Sequence, residues 1–223
     1  MAPAVGSGPG DLTADGCSVE VYAALPAGEE PTFIEQAVPP PASLLELGAG
    51  AGRVTRSLLE RGYQVTAVDD SAQMLARITG AHQVLARIEA LDLGRRYDGV
   101  LLCSHLVNSP TAQRDGFLAT CARHVAADGC VVIERHEPAW FDTAADSTVA
   151  LGGVEVSLGD ISRPGPGLLS ATVTYRIGGR HWTQTFTTVR VDDDELADSL
   201  RGHGLVIDRR LDPAGRWIRA VRG

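Results

Sequence analysis

The sequence predicts an α/β fold: a mainly parallel sheet interrupted, before its last helix, by an antiparallel insert. Three observations predict it. Apolar strand-like runs alternate with helix-length segments between residues 43 and 135, a rhythm that builds parallel sheets with right-handed crossovers. The glycines at 48, 50 and 52 directly follow the first of those runs. From Val154 to Val191 the pattern changes to period-two alternation, the signature of half-buried strands.

Residues 1–16 are rich in Gly, Pro, Ala and Ser without periodicity, and are expected to form a disordered tail. The remainder, 17–223, is expected to be a single domain. Val19 to Ala37 fits a helical lead-in with Pro31 at a helix start, ended by Pro39-Pro40-Pro41. Strands are expected at 43–47, 64–69, 83–89, 97–103 and 129–135, and helices at 51–61, 71–79 and 111–126. In the last helix Phe117, Leu118, Cys121 and Val125 share one face. The insert, 143–191, carries two or three strands. Ala171, Val173, Tyr175 and Ile177 alternate with polar residues, Gly178-Gly179 supplies a hairpin turn, and Trp182, Gln184, Phe186 and Thr188 share a face of the return strand. A helix over 192–204, with acids in its first turn, and strands at 204–209 and 215–221 close the chain.

Composition narrows the function. The 223 residues carry a formal net charge of −8, with 44% hydrophobic and 22% charged residues, an ordinary globular balance. Basic clusters of the kind that grip a phosphate backbone are missing, which argues against a nucleic-acid partner. All 20 basic residues are arginine, so lysine Schiff-base and lysine-nucleophile chemistry is ruled out. The four cysteines show no C-x-x-C spacing, suggesting neither a disulfide framework nor a zinc site; no metal is expected. No apolar run is long enough for a membrane span, and the N-terminus lacks a secretory pattern. The expected location is the cytoplasm.

The chemistry concentrates at Ser43-Leu-Leu-Glu-Leu-Gly-Ala-Gly-Ala-Gly-Arg53, followed by Asp69 at the end of the second apolar run. Glycines allow a ligand to approach the backbone, and an acid about 20 residues on can accept hydrogen bonds from ribose hydroxyls. A P-loop is excluded because no Lys-Ser or Lys-Thr follows. A dinucleotide loop needs its third glycine one position later, where Arg53 stands. An S-adenosylmethionine pocket needs no pyrophosphate site and is the third reading.

Glu46-Leu-Gly-Ala-Gly-Ala-Gly52 resembles the first motif of class I S-adenosylmethionine-dependent methyltransferases. Val65-Thr-Ala-Val-Asp-Asp-Ser71 with Met74-Leu75 resembles the second. Ile88-Glu-Ala-Leu-Asp-Leu93 and Tyr97-Asp-Gly-Val100 resemble the third and fourth, and Ala126-Ala-Asp-Gly-Cys-Val-Val-Ile133 matches the turn into the fifth strand. The resemblance implies a seven-stranded Rossmann-like methyltransferase sheet with S-adenosylmethionine as cofactor. It places Gly48, Ala49 and Gly50 under the methionine part and Asp69, or its neighbour Asp70, on the ribose. Met74 would pack on adenine, Glu89 and the Ala90 backbone would meet its edge, and Cys103 and Ser104 would face the methionyl amino group. Tyr22 matches, more loosely, an aromatic that closes the pocket. Glu89 departs from the family's more usual Asp.

Glu46 reads equally as a cofactor contact or as a buried carboxylate bonded to backbone amides. Arg53 reads as a partner of the cofactor carboxylate or as a pin for a neighbouring loop. His105 and His136, each just after a strand, are the candidate acceptor-facing bases; a hydrogen-bonding role on a loop is the alternative. Trp140 and Phe141 could wall an acceptor pocket or pack in a core, His181 and Trp182 could form a lid or pack on a sheet, and Asn108 and Ser109 could bind acceptor or cap the helix near Thr111. The inserted strands resemble, in architecture only, those of small-molecule N- and O-methyltransferases, where they cover the acceptor or form a homodimer contact. The expected reaction is methyl transfer to N or O of a small-molecule acceptor in specialised metabolism. A different displacement on the same sulfonium, such as intramolecular cyclisation, and a non-catalytic cofactor-binding regulator stay open at this point.

Overall fold

A computed structural model describes residues 5–223. In chain order, β1 (Val5–Ser7) precedes α1 (Val19–Ala24), which Ser18 caps by accepting the Val21 N–H, and α2 (Glu30–Ala37), which has Pro31 in its first turn. The lead-in is therefore two helices. Then follow β2 (Ser43–Leu47), α3 (Arg53–Glu60), β3 (Gln64–Asp69), α4 (Ala72–Leu75), β4 (His82–Leu85), β5 (Tyr97–Leu102), α5 (Thr111–His124) and β6 (Val125–Glu134). After α6 (Trp140–Thr143) come β7 (Ser147–Leu151), β8 (Val154–Gly165), β9 (Leu168–Ile177) and β10 (Arg180–Val189). The chain ends with α7 (Asp193–Gly202), β11 (Leu205–Arg210) and β12 (Trp217–Arg222). Short 3-10 turns at Ile88–Ala90 and Leu106–Asn108 bracket β5.

These elements divide into two compact units where a single domain over 17–223 was expected: residues 27–137 with 191–223, and residues 5–26 with 138–190. The physical reason is that the insert builds a sheet and apolar clusters of its own.

The larger unit holds the seven-stranded sheet, in the order β11-β12-β6-β5-β2-β3-β4. Pairing is parallel from β6 through β4, and β12 lies antiparallel between β6 and β11. Leu44, Leu45 and Leu47 of β2 and Val100, Leu101 and Leu102 of β5 are buried, as central strands covered on both faces require. One face packs Phe117, Leu118 and Cys121 of α5 with Leu196 and Leu200 of α7; the other packs Ile34 of α2 with Val54 and Leu58 of α3. The strand expected over 83–89 ends at Leu85 and gives way to the 3-10 turn, and the helix expected over 71–79 closes at Leu75.

The smaller unit is a five-stranded antiparallel sheet, β1-β10-β9-β8-β7. Gly178-Gly179 makes the hairpin between β9 and β10, and Trp182, Gln184 and Thr188 of β10 are buried on one side. The tail expectation is corrected for residues 5–16: Val5, Gly6 and Ser7 pair with Thr185, Gln184 and Thr183 of β10, and Leu12 bridges to Ser18. The outer ladder of β10 would otherwise stand open, and β1 satisfies it. Residues 1–4 of that expectation lie outside the described residues. Among the described residues no helix is long and apolar enough to cross a membrane.

Candidate active site

In the larger unit the chain runs outward from β2 to β3 and β4, then returns to β5 and β6 on the opposite side of β2. The carboxyl ends of β2 and β5 therefore form a topological switch point, where open α/β sheets bind their ligands. The loop after β2 is built on glycine backbone. Gly48 has φ +71°, and a Cβ there would sit 2.8 Å from Leu106 Cδ1; at Gly52, φ +80°, it would sit 2.7 Å from Ile78 Cγ1. Both conformations and both close approaches exclude a larger side chain. The Ala49 N–H donates to Val68 O at 2.9 Å, and the Gly50 N–H donates to Asp69 Oδ2 at 2.8 Å.

Asp69, at the end of β3, also accepts the Ser71 N–H on Oδ1 at 2.9 Å. The predicted ribose acid is thus the strut of the glycine loop, its two oxygens joining the turn after β2 to the turn after β3. Asp70 is exposed. Ser71 caps α4 by accepting the Met74 N–H at 3.2 Å, and Met74 is buried. The bare backbone at Gly48 and Gly50, a carboxylate beside it and an apolar thioether one turn on fit an adenosyl ligand. A carboxylate that accepts backbone N–H groups has the acceptor chemistry for hydroxyls as well.

Glu46 is buried at the end of β2 and accepts the Thr55 hydroxyl on Oε2 at 2.6 Å. Burial pushes its pKa up to about 7, against the Thr55 hydrogen bond and the Arg53 charge. Of the two sequence readings, the buried one describes this contact, with a hydroxyl in place of backbone amides. Arg53 is ion-paired with the buried Glu30 at the start of α2, which also accepts the Gly28 N–H at 2.6 Å. Its other nitrogen, Nη2, lies 3.5 Å from Ser104 Oγ. Arg53 is a pin between α2, α3 and the end of β5.

The far side of the crevice is built from side chains. Cys103 is buried, and its thiol is held well above the ordinary range by that burial. Ser104 and His105 are consecutive non-glycine residues in the left-handed region, at φ 55° and 60°, a conformation that persists only where surroundings impose it. The Ser104 N–H donates to Glu134 Oε2 at 2.8 Å. Glu134 is buried at the end of β6, which burial makes less acidic, and its Oε1 lies 3.6 Å from Arg216 Nε and 3.8 Å from His105 Nε2. The His105 and His136 rings stack at 3.8 Å between centroids and 19° between planes. Asn108, buried, accepts the His136 backbone N–H at 2.8 Å. Burial, then the Arg216 charge, lowers His105 to about 4. Burial, His105 and Arg216 lower His136 to about 2. Both imidazoles are neutral near pH 7.

Sequence reasoning brought His105 and His136 forward separately; the structure brings them into contact. It missed Glu134, Glu30 and Arg216, whose only signal was an acid ending a buried strand and charges scattered through the chain. The cap reading of Asn108 and Ser109 is corrected: Pro110 precedes α5, and no side chain caps it. Asn108 instead holds the loop after β6. Glu89 stands in the 3-10 turn, 3.3 Å from Arg87 Nη2, and the Ala90 N–H donates to Arg87 O at 3.2 Å. Tyr22 belongs to the smaller unit, where its ring meets Tyr175 edge-on at 6.4 Å. In that unit Phe141 packs with Leu169 and Ala171, with Trp140 against it. Trp182 is buried and donates to Pro9 O at 2.7 Å, while His181 is exposed. Among the described residues no group of three or more His, Cys, Asp or Glu side chains could hold a metal ion.

Known proteins agree with this geometry. Residues 45–133 match the methyltransferase domain family. A dTDP-3-amino-3,6-dideoxy-alpha-D-glucopyranose N,N-dimethyltransferase of Streptomyces fradiae is 32% identical over 145 residues. That match covers 59% of this chain and 55% of the relative, so the chain spans about half the length of the curated relative it matches. A sugar N-methyltransferase from Streptoalloteichus has the same fold, with TM-score 0.70 at 21% identity over 97% of this chain and 96% of that one. So does an amino pentose methyltransferase from Micromonospora echinaspora, solved with S-adenosylmethionine bound, with TM-score 0.68 at 21% identity over 93% of each chain. Sheet order, motifs and domain match point the same way: residues 45–133 carry a methyltransferase domain, on a fold shared with S-adenosylmethionine-dependent methyltransferases.

Proposed function

We propose that this protein transfers a methyl group from S-adenosylmethionine to the amino nitrogen of a small sugar-like acceptor. One observation carries the reading: at the switch point, the backbone of a left-handed glycine turn is hydrogen-bonded to the acid that ends the next strand. Nitrogen is favoured over oxygen because the named relatives are sugar N-methyltransferases.

In this reading Gly48, Ala49 and Gly50 border the methionine part of the cofactor, Asp69 accepts the ribose hydroxyls and Met74 packs on adenine. Ser104 fixes the methionyl end. When bound, the cofactor supplies a methyl group on a sulfonium, already a strong electrophile. The protein's task is alignment, which can contribute on the order of 7–11 kcal/mol in favourable cases. The acceptor nitrogen gains the N–CH3 bond as the C–S bond breaks, and that electron pair stays on sulfur. The amine must shed a proton; with both imidazoles held well below their ordinary range, the His105–His136 pair would relay it to water rather than retain it.

Incubation with S-adenosylmethionine and a panel of nucleotide-linked and free amino sugars, beside their hydroxy analogues, tests the reading. The expected products are S-adenosylhomocysteine and an N-methylated amine. Release of methylthioadenosine would instead mean a different displacement, and methylation confined to hydroxyls would move the acceptor atom to oxygen.

A further inference from the structure

One stripe of α5 has a role that the glycine loop and the histidines leave unused. Gly116, Thr120 and His124 are four residues apart, which places them on one helix face. That face holds the loop 88–93. The Thr120 hydroxyl donates to Ile88 O at 2.8 Å, and the Leu93 N–H donates to His124 Nε2 at 3.1 Å. His124 Nδ1 lies 2.9 Å from Thr120 O, so the ring is used at both nitrogens. Arg123, beside the stripe, donates to Leu91 O at 2.6 Å. Thr120 and His124 are fully buried.

Gly116 is the remaining position of the stripe and the one interior glycine of α5. A helix-interior glycine carries an entropic cost that alanine would remove, so its presence calls for a steric reason. The structure supplies one: a Cβ on Gly116 would lie 2.8 Å from Glu89 Cγ and 3.2 Å from Glu89 Cβ. The space that alanine would fill is occupied by the side chain of Glu89.

We propose that Gly116 is a positioning residue for cofactor recognition: by lacking a Cβ it lets Glu89 lie against α5, which sets the carboxylate at the adenine edge. The inference rests on the cofactor reading above. Glutamate places its carboxylate one methylene further from the backbone than aspartate does, and the bare helix face takes up that methylene. The stripe of Thr120 and His124 fixes the loop, and Gly116 fixes the side chain upon it.

Calorimetric titration of the full chain with S-adenosylhomocysteine and with S-inosylhomocysteine, in which a 6-oxo group replaces the adenine amine, tests this. Wild type is expected to prefer the adenine compound. Gly116→Ala should weaken S-adenosylhomocysteine about tenfold, the scale of one hydrogen bond to a charged group, and narrow the preference. Glu89→Ala should do the same, and the double variant should bind no more weakly than Glu89→Ala alone. The narrowed preference separates this role from a purely structural one. If Gly116→Ala does not fold, Thr120→Val, which unties the same loop, carries the test with the same two readouts. Binding within about twofold of wild type, or losses that multiply in the double variant, would overturn the role of Gly116 while leaving the cofactor reading intact. Wild-type protein that binds neither compound would overturn both.

Discussion

The two sides of the crevice are built from different materials. After β2 and β3 the chain presents backbone: left-handed glycines and amides braced by the acid Asp69, all within about 25 residues. After β5 and β6 it presents side chains from distant segments: Ser104 and His105, Glu134 and His136, Arg216 near the last strand. The first side has the shape for a constant ligand, since backbone amides and a carboxylate recognise groups that every adenosyl compound carries. The second has titratable groups whose properties depend on burial and neighbours, the means by which sites acquire acid–base chemistry. The difference teaches which perturbation reaches which step.

The comparison breaks most visibly at the histidines. His105→Ala and His136→Ala, each alone, are expected to lower kcat by about 100-fold or more, the range of general acid–base effects, with S-adenosylhomocysteine affinity nearly unchanged. Rapid-quench or product-release assays beside calorimetry would read this; unchanged rates in both variants would remove the pair from the chemistry. On the opposite side, Asp69→Ala is expected to weaken the nucleoside by about 1–3 kcal/mol, through lost hydroxyl contacts and a loosened glycine loop. Isothermal titration with no loss would take Asp69 out of the site.

A pH experiment sharpens the contrast without any assay of turnover. With His105 held near 4 and His136 near 2, their ring resonances should stay in the neutral form from pH 8 down to about pH 5. An NMR titration midpoint near the ordinary 6.5 would show that the stack is more open to water than its geometry implies. Both shifts are downward, so the pair favours folding above pH 6.5 and loses that contribution as pH falls toward the folded values.

Glu46 has the opposite sign. Its pKa is raised to about 7 from 4.5, so between those values the folded chain keeps a proton that the unfolded chain has released. Stability from this group is full below pH 4.5 and is lost as pH rises through 7. Glu46→Gln keeps an acceptor for Thr55 and cannot ionise. Its Tm relative to wild type should therefore climb between pH 5 and 8, by about 5 °C or more; a flat difference would mean the carboxylate is better solvated than its burial indicates.

Most of the backbone side was legible in the sequence because its signals are local. Apolar runs 43–47 and 64–69 gave strands at those bounds, and Gly48, Gly50 and Gly52 lie within five residues of one another. The side-chain half was legible only in part, since His105 and His136 stand after apolar strands, but Glu134 and Arg216 meet through sheet register. The stretch Ser147–Leu151 was missed as a strand because all five residues are exposed, which leaves no alternation to detect. Val5–Ser7 escaped notice because three residues gain their order from β10 alone. Arg53 was read partly as a cofactor contact because its partner, Glu30, is 23 positions away.

The placement of β12 has a consequence for assembly. The strand enters between β6 and β11, with Trp217 opposite Glu134. The carboxylate that fastens the Ser104–His105 bend is thus seated by a segment synthesised long after it. Pairings of such sequence separation are slow to form. The glycine turn draws on neighbouring residues, whereas the imidazole side is complete only once the closing strand has paired.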